Sequence, residues 1–447
     1  MDEQRIQAYL QLIYFLLKCT NGQEMELLEA NPNLVDGGLL KCMELVAADL
    51  SEKGNQNAAD WLLNFASQLA EALGIYSSSL ILEEYLAFLQ ELLEAECEID
   101  ENPQAVYQVL QRHLNKLDTH FPEILQEVAT GLISEHPEYV EAIISVIGNI
   151  SIRIQEFPLG NFAKNQEIAI AGCAIVLQNC EINTQMWAQG QNNLGNAYRN
   201  RIKGDKADNI ELALEAHTLA LQVYILQAFP QNWAMTQNNL GLAYNDRIKR
   251  DKADNIELAL EAYTLALQVY TPQAFPQDWA MTQNNLGNAY HDRIKGDKAD
   301  NIELAIAAYT KALQVYTPQA FPQDWAMTQN NLGNTYLNRI KGDKADNLEL
   351  AIAVYTKALQ VYTPQAFPQG WAMTQNNLGT AYWDRIKGDK ADNIELAIAA
   401  YNLALQVYTP QAFPQHWAKM QNNLGAAYND RIKGDKADNL EIAIAAY

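Results

Sequence analysis

The sequence predicts an all-α protein built as a solenoid of repeated helix pairs. Three observations support this prediction: tryptophans recur at a constant step of 46 residues, Leu-Gly pairs keep the same step, and the segments between them have helical periodicity. A fixed period of about 20 to 50 residues is the sequence signature of stacked repeats. There are six copies, the last one incomplete, and they begin at Trp187, Trp233, Trp279, Trp325, Trp371 and Trp417.

The N-terminal third is acidic and also predicted to be helical. Residues 1–150 contain 25 acidic and 6 basic residues, a net charge of −19 out of −23 for the whole chain. A surface this negative repels phosphate groups, so we expect neither a nucleic acid nor an anionic membrane as partner. Hydrophobic periodicity predicts helices near Asp2–Cys19, Leu34–Glu52, Asn57–Leu73, Leu80–Glu96 and Gln104–Leu117.

Each copy encodes two helices. In the third copy Leu286, Tyr290 and Ile294 recur every four residues, which predicts one buried stripe on a first helix, and Gly296 is a natural stop. Asp300 followed by Glu303 predicts the capped start of a second helix. This second helix has two apolar faces, so we expect it to pack on its own partner and on a neighbouring copy.

The repeats resemble the tetratricopeptide repeat family. Its signature pairs Leu-Gly-x-x-Tyr in the first helix with Ala-x-x-x-aromatic-x-x-Ala in the second. Leu286-Gly287-x-x-Tyr290 and Ala305-x-x-x-Tyr309-x-x-Ala312 match both halves. The period of 46 residues departs from the family's 34, and both inter-motif spacings are six residues longer. Units of this length are similar to kinesin light chain repeats and to cyanobacterial repeats that precede CHAT domains, which are caspase-like proteases.

The resemblance implies a right-handed superhelical solenoid of antiparallel helix pairs with an N-terminal helical domain. The expected domains are an acidic helical region over 1–136 with a possible joint near 76–80, a degenerate capping repeat over 137–186, and the six repeats over 187–447. The capping repeat is suggested by Ile147-Gly148-Asn149, which echoes Leu-Gly-Asn, and by residues 165–178, which echo 209–222. Terminal repeats are expected to be atypical because only one face is covered.

The resemblance also implies where a ligand binds. In such arrays the first helices line a concave surface that holds an extended peptide, and residues at the offsets of Asn284, Asn288 and His291 face it. The first of these positions is asparagine in every copy, and an amide that donates and accepts suits pairing with a peptide backbone. These residues are Asn192, Asn238, Asn284, Asn330, Asn376 and Asn422.

Two further positions on the same face differ between copies. The residue after each glycine is Asn196, Leu242, Asn288, Asn334, Thr380 or Ala426, and the residue after each tyrosine is Arg199, Asn245, His291, Leu337, Trp383 or Asn429. Our hypothesis is that the asparagines read a peptide backbone and the variable residues form side-chain pockets. Alanine at Asn284, Asn330 and Asn376 together is then expected to weaken ligand binding and to leave thermal unfolding nearly unchanged. Neutral drift at solvent-facing positions is the alternative.

Other repeated features favour structural roles. The tryptophans and the AFP segments are interpreted as staples between repeats rather than as an aromatic ligand shelf. The RIKGDKADN segment matches neither a phosphate-binding loop nor a calcium loop and is interpreted as a solvated turn. Helical repeats that read RNA also vary one face from copy to copy, but the acidic balance disfavours this alternative.

The functional prediction is a scaffold that binds a peptide or a partner protein, without cofactor or metal. No catalytic motif is found, so these residues are not expected to form an enzyme. The acidic N-terminus and scattered cysteines favour a cytoplasmic protein that neither spans nor adsorbs to a membrane. Because residue 447 falls within a second helix, we expect a fragment of a longer protein with a C-terminal effector such as a CHAT protease. The alternative is a structural array that self-associates without a peptide ligand.

Overall fold

The structure is a computed structural model that describes residues 3–19, 22–73, 79–97 and 103–446. Every regular element in these ranges is a helix. Within the same ranges, none of the helices combines the length and apolar character needed to cross a bilayer. The chain divides into two compact units, Met1–Gly204 and Asp205–Tyr447. The division falls inside the first copy rather than at residue 187, and the three-part organisation stays a prediction.

The first unit contains two hydrophobic cores. One is built around Tyr9, Leu40 and Leu62, and the other around Phe88, Phe121 and Ile154. The described helices are α1 Glu3–Leu16, α2 Glu24–Glu29, α3 Gly37–Glu52, α4 Gln56–Leu73, α5 Ser79–Cys97, α6 Pro103–Arg112, α7 Phe121–Glu135, α8 Val140–Glu156, α9 Phe162–Asn179 and α10 Gln185–Asn200. The five helices predicted in the acidic region are confirmed, although the last one ends at Arg112 and a short 3-10 turn follows. The possible joint near 76–80 lies largely outside the described residues.

Helices α8 and α9, which we call the entry pair, fall within the range predicted to be a capping repeat, and their turn is built like the turns of the array. The Asn165 side chain donates to the Leu159 carbonyl at 3.2 Å, as Asn301 donates to the Lys295 carbonyl at 2.8 Å. The preceding glycines, Gly160 and Gly296, have positive φ angles of 82° and 81°. Position 165 of the entry pair therefore corresponds to position 301 of the third copy.

The second unit alternates first helices, which begin at the Pro-Gln of each copy, with second helices, which begin in the KADN segment. Each first helix packs on the second helix of its own copy and on that of the preceding copy. The helices are α11 Lys206–Val223, α12 Pro230–Asp246, α13 Lys252–Ala266, α14 Pro276–Asp292, α15 Lys298–Ala312, α16 Pro322–Leu337, α17 Lys344–Ala358, α18 Pro368–Asp384, α19 Lys390–Ala404, α20 Pro414–Asn429 and α21 Lys436–Ala446. The predicted all-α solenoid of helix pairs is confirmed.

One apolar cluster runs through the whole array and contains the repeated tryptophans. Trp279, Trp325 and Trp371 are buried in it beside Tyr316 and Tyr362. Each of these tyrosines also lies against the phenylalanine of the following AFP segment, with ring centroids 5.6 Å apart for Tyr316 and Phe321. The prediction that these aromatic residues are staples between repeats is confirmed.

Successive first helices of the array contact one another directly, as α14 and α16 do. We call the surface formed by α12, α14, α16, α18 and α20 the groove face.

Two local predictions about the turn were wrong. Ile294 lies beyond the end of α14 and is 61% exposed rather than buried. The second helix begins earlier than predicted, because the Asp297 carboxylate caps it by accepting from the Asp300 backbone N–H at 2.9 Å. Asp300 and Glu303 are therefore free to contact the next copy.

Candidate functional site

The first asparagine of each copy is buried where another first helix follows it. Asn238, Asn284, Asn330 and Asn376 are only 1%, 3%, 1% and 7% exposed. Asn422, in the last copy, is exposed. The sequence hypothesis placed all these amides on an open groove, and this placement was wrong because the neighbouring first helix covers them.

The buried asparagines accept hydrogen bonds from the following copy. From the third copy onward, the second asparagine of the Asn-Asn pair donates to the first asparagine of the preceding copy, as Asn377 does to Asn330 at 3.2 Å and Asn423 to Asn376 at 2.8 Å. In the third copy the Thr282 hydroxyl adds a bond to the Asn238 side-chain oxygen at 3.2 Å. A ladder of asparagines exists, but it joins helix to helix.

In the third, fourth and fifth copies the variable position after the glycine is half-buried and contacts a buried tyrosine. The Tyr309 hydroxyl donates to the Asn288 side-chain oxygen at 2.7 Å, and the Tyr355 hydroxyl does the same to Asn334 at 2.7 Å. In the fifth copy Thr380 replaces asparagine and lies 3.2 Å from the hydroxyl of its tyrosine. Burial raises the pKa of that tyrosine, Tyr401, to about 12, so its hydroxyl stays a donor at neutral pH.

The glycine itself is required by the same tyrosine ring. A Cβ atom at Gly287 would lie 2.7 Å from Cε1 of Tyr309, and one at Gly333 would lie 2.4 Å from Cε1 of Tyr355. Real Cβ atoms do not approach other atoms this closely. The Leu-Gly-x-x-Tyr pattern is therefore a packing rule between the two helices of one copy.

The variable position after each tyrosine lies at the C-terminal end of the first helix and reaches toward the next copy. His291 Nδ1 donates to Asp292 at 3.1 Å, and His291 Nε2 accepts from the Asn338 amide at 3.1 Å. Trp383 donates through its indole nitrogen to Asp430 at 3.1 Å. Asn245 and Leu337 are half-buried at the equivalent position, and Asn429 is exposed.

The corresponding residues of α10 belong to the first unit. Asn192 is 1% exposed, while Asn196 and Arg199 are half-buried. Asn192, Asn196 and Arg199 are therefore buried to the same degree as the equivalent residues of the later copies that lie inside the array.

Ion pairs between copies hold the ends of the first helices. Arg339 donates to both carboxylate oxygens of Glu303 at 2.8 and 2.9 Å, and Lys341 donates to Asp300 at 2.6 Å. The Arg339 guanidinium lowers the pKa of Glu303 through these hydrogen bonds. Equivalent pairs with arginine occur at Glu211, Glu257, Glu349 and Glu395. The RIKGDKADN segment is thus a connection between repeats as well as a solvated turn.

Methionines on the groove face were missed by the sequence interpretation. Met281 and Met373 are 38% and 40% exposed, and Met235 and Met327 are half-buried at the same position of their copies. Each lies three residues before the buried asparagine, on the same side of its helix. Their recurrence at the 46-residue step was the signal that could have identified them.

Comparisons with known proteins match one segment of the array to a repeat family. The sequence model of the tetratricopeptide repeat family matches residues 325–361, which contain most of α16 and all of α17. No curated protein sequence matches the chain. BtubC (BKLC) from P. vanneervenii is similar in structure at 20% identity over 56% of this chain and 90% of its own, with a TM-score of 0.40. Human IFIT1 is similar at 15% identity over 100% of this chain and 90% of its own, with a TM-score of 0.41.

These structural similarities have TM-scores below 0.5 and support no statement about function. The matched segment carries the same contacts as its neighbours in the array. The other copies of the array repeat this matched segment in sequence and in helix arrangement.

Proposed function

We propose that the array is a protein-interaction scaffold that binds an extended peptide, or an extended segment of a partner protein, along the groove face. The observation that carries this proposal is the row of accessible methionines on helices whose neighbouring asparagines are buried. Methionine is unbranched and polarizable, so it adapts to different apolar partners and is frequent at adaptable binding surfaces.

The residues that differ between copies supply selectivity in this proposal. Asn245, His291, Leu337 and Trp383 follow one another along the array at the ends of the first helices. They offer an amide, an imidazole, an aliphatic and an indole side chain, so each copy presents different chemistry to one stretch of ligand. The buried asparagines have a positioning role, because their hydrogen bonds keep adjacent first helices in register.

The proposed role is binding rather than catalysis, in the cytoplasm. All five cysteines are free, which is consistent with a reducing compartment. The resemblance to repeats that precede CHAT domains supports a regulatory role within a longer protein. The reading frame past residue 447 tests this part of the proposal. A downstream domain of another kind, or a stop codon directly after this residue, would contradict it.

A library of linear peptides displayed on phage tests the peptide-binding function. We expect the chain to select a defined set of peptides, and we expect Met281→Lys, Met327→Lys and Met373→Lys together to weaken their binding at least about ten-fold. The matched control is lysine at Leu304, Leu350 and Leu396, which are 41–43% exposed on second helices. Selection of no peptide, or equal losses in both triple variants, would overturn the proposal.

Self-association is a second candidate function, supported by exposed isoleucines in the turns. Ile248, Ile294, Ile340, Ile386 and Ile432 are 57–62% exposed at the same position of five copies. Exposed apolar side chains that recur in register suit contact between two arrays. Sedimentation at increasing concentration should show a rising mass that lysine at Ile294, Ile340 and Ile386 abolishes; a constant monomer mass would exclude this candidate.

A further inference from the structure

We propose that the entry pair of helices contains an anchor pocket for a branched aliphatic side chain, such as leucine or valine, presented by a bound peptide. The pocket lies within the first unit, between α8 and α10, with α9 as its floor. This inference rests on the proposed peptide-binding function and names one feature of the ligand.

The pocket exists because small residues replace the large ones found in the array. Cys173 occupies the position that is Tyr309 in the third copy, since position 165 corresponds to position 301. In the array this tyrosine ring fills the space above the glycine of the first helix. In the entry pair the glycine is kept as Gly148, and the ring is absent.

The wall of the pocket formed by α10 also carries a smaller residue than the array does. Gly190 of α10 stands where the next copies have threonine, for example Thr282 and Thr328, which are both fully buried. Without a side chain at Gly190 and with a thiol in place of a phenol ring, α8 and α10 leave a cavity between them. Val176 replaces the alanine of the array and fills part of this space, because its Cγ2 lies 3.3 Å from the position a Cβ at Gly148 would take.

The chemistry of the cavity selects an apolar, uncharged group. Its lining side chains are apolar or neutral: the Cys173 thiol and Val176 lie at the floor, and the amides of Asn149, Gln189 and Asn193 belong to its lining. Burial raises the pKa of Cys173 to about 12, so the thiol stays neutral at physiological pH. Amides beside an apolar pocket can donate to and accept from a peptide backbone whose side chain enters it.

The size of the cavity favours a branched aliphatic group over a ring. The space inside the pocket is about 30 Å³, room for roughly two water-sized groups, and the pocket is open on one side. The two terminal methyl groups of leucine or valine match this size, whereas an aromatic ring exceeds it. The open side of the pocket leaves a path for a side chain carried by an extended chain.

Peptide selection with a filled pocket tests this inference. The variant Cys173→Tyr with Val176→Ala restores the pair found in the array, and Cys173→Leu fills the same space with a smaller group. Circular dichroism and thermal unfolding establish that each variant is folded. The phage-displayed peptide library is then selected separately on the unmodified chain and on whichever filled variant folds.

We expect peptides selected by the unmodified chain to share leucine, valine or isoleucine at one position, and this preference to vanish with the filled variant. One such peptide should bind the filled variant about ten-fold more weakly. Replacing the anchor residue of this peptide by alanine should weaken its binding to the unmodified chain by a similar factor. The same replacement should not further weaken its binding to the filled variant.

The outcomes separate this inference from the proposed function. Peptides that both proteins select equally, without a shared aliphatic position, would overturn the pocket and leave the scaffold function standing. The pocket would also be overturned if replacing a shared anchor residue by alanine weakened peptide binding equally for the unmodified chain and the filled variant. Failure of both proteins to select any peptide would overturn the pocket together with the proposed function.

Discussion

The side-chain amide of Asn377 donates to the side-chain oxygen of Asn330 at 3.2 Å, across the boundary between two copies. Asn330 is 1% exposed, so this bond lies inside the array rather than on its surface. Asn238, Asn284, Asn330 and Asn376 each accept this bond from the following copy, and this role requires no ligand.

Asn330→Ala is expected to destabilise the array by about 1–2 kcal/mol, because the half-buried Asn377 amide loses its buried acceptor. Chemical denaturation measures the change in free energy of unfolding. This reverses the sequence-based expectation that such substitutions leave unfolding unchanged. Asn422→Ala is the matched control and should change stability by less than about 0.5 kcal/mol, since its side chain is exposed. Equal effects at both positions would contradict the buried ladder.

Gly287→Ala is expected to destabilise the array by about 1–3 kcal/mol, because the added methyl group would overlap the Tyr309 ring. The control is Gly131→Ala in α7, where a Cβ would meet no atom within 4 Å. There the substitution should stabilise by about 0.5–1 kcal/mol through the higher helix propensity of alanine. Thermal unfolding of the two variants gives the comparison, and effects of the same sign would contradict the packing argument.

Arg250→Gly is expected to raise stability by up to about 1 kcal/mol. Arg250 has a φ angle of +67° at a turn position where Gly296 and Gly342 have +81° and +84°. A side chain in this left-handed region is strained by roughly 1–2 kcal/mol, partly offset by the greater freedom of glycine in the unfolded chain. The reciprocal change, Gly296→Arg, should lower stability by a similar amount. A destabilising Arg250→Gly would show that the arginine makes a compensating contact.

Acid is expected to weaken the contacts between copies. Arg339 lowers the pKa of Glu303 below its usual 4.5 in the folded state, and Glu257, Glu349 and Glu395 are lowered by their own arginines in the same way. A carboxylate with a depressed folded pKa stabilises the fold fully above its unfolded pKa, and this stabilisation is lost as pH falls through the folded value. The free energy of unfolding should therefore drop steeply below about pH 4.5.

Glu303→Gln should remove part of this pH dependence. It should also lower the free energy of unfolding at neutral pH by about 1 kcal/mol, as expected for a half-buried ion pair. The matched control is Glu441→Gln, at the equivalent position of the last copy, for which the described residues contain no arginine partner. Denaturation curves measured between pH 3 and pH 7 compare the two variants. Identical pH profiles for Glu303→Gln and the unmodified chain would contradict the role of the ion pair.

Much of the fold could be predicted from the sequence alone. The period located the copies, and the Leu-Gly-x-x-Tyr spacing identified the helix pairs because burial on a helix follows its 3.6-residue repeat. The entry pair was also recognisable, since Gly160 and Asn165 keep the turn of the array. The predicted start of the second helix was wrong because both Asp297 and Asp300 have side chains that can cap a helix. The ion pair of Glu303 with Arg339 could not be predicted because its two residues belong to different copies.

The candidate site depended more on tertiary structure. Helical periodicity correctly predicted that Asn284 and Asn288 lie on one side of a helix. It could not predict that the next copy packs against this side and removes it from solvent. The methionines and the cavity at Cys173 became interpretable only when accessibility and neighbouring residues were known.

The sequence by itself determined the local units of this protein: helices, turns and the order in which pairs stack, because these depend on contacts at short and constant separations. The tertiary structure decided which polar residues remain available to a ligand. Burial of a side chain is set by the neighbouring copy, 46 residues away, and by how closely its first helix approaches. The same asparagine is therefore buried at position 376 and exposed at position 422.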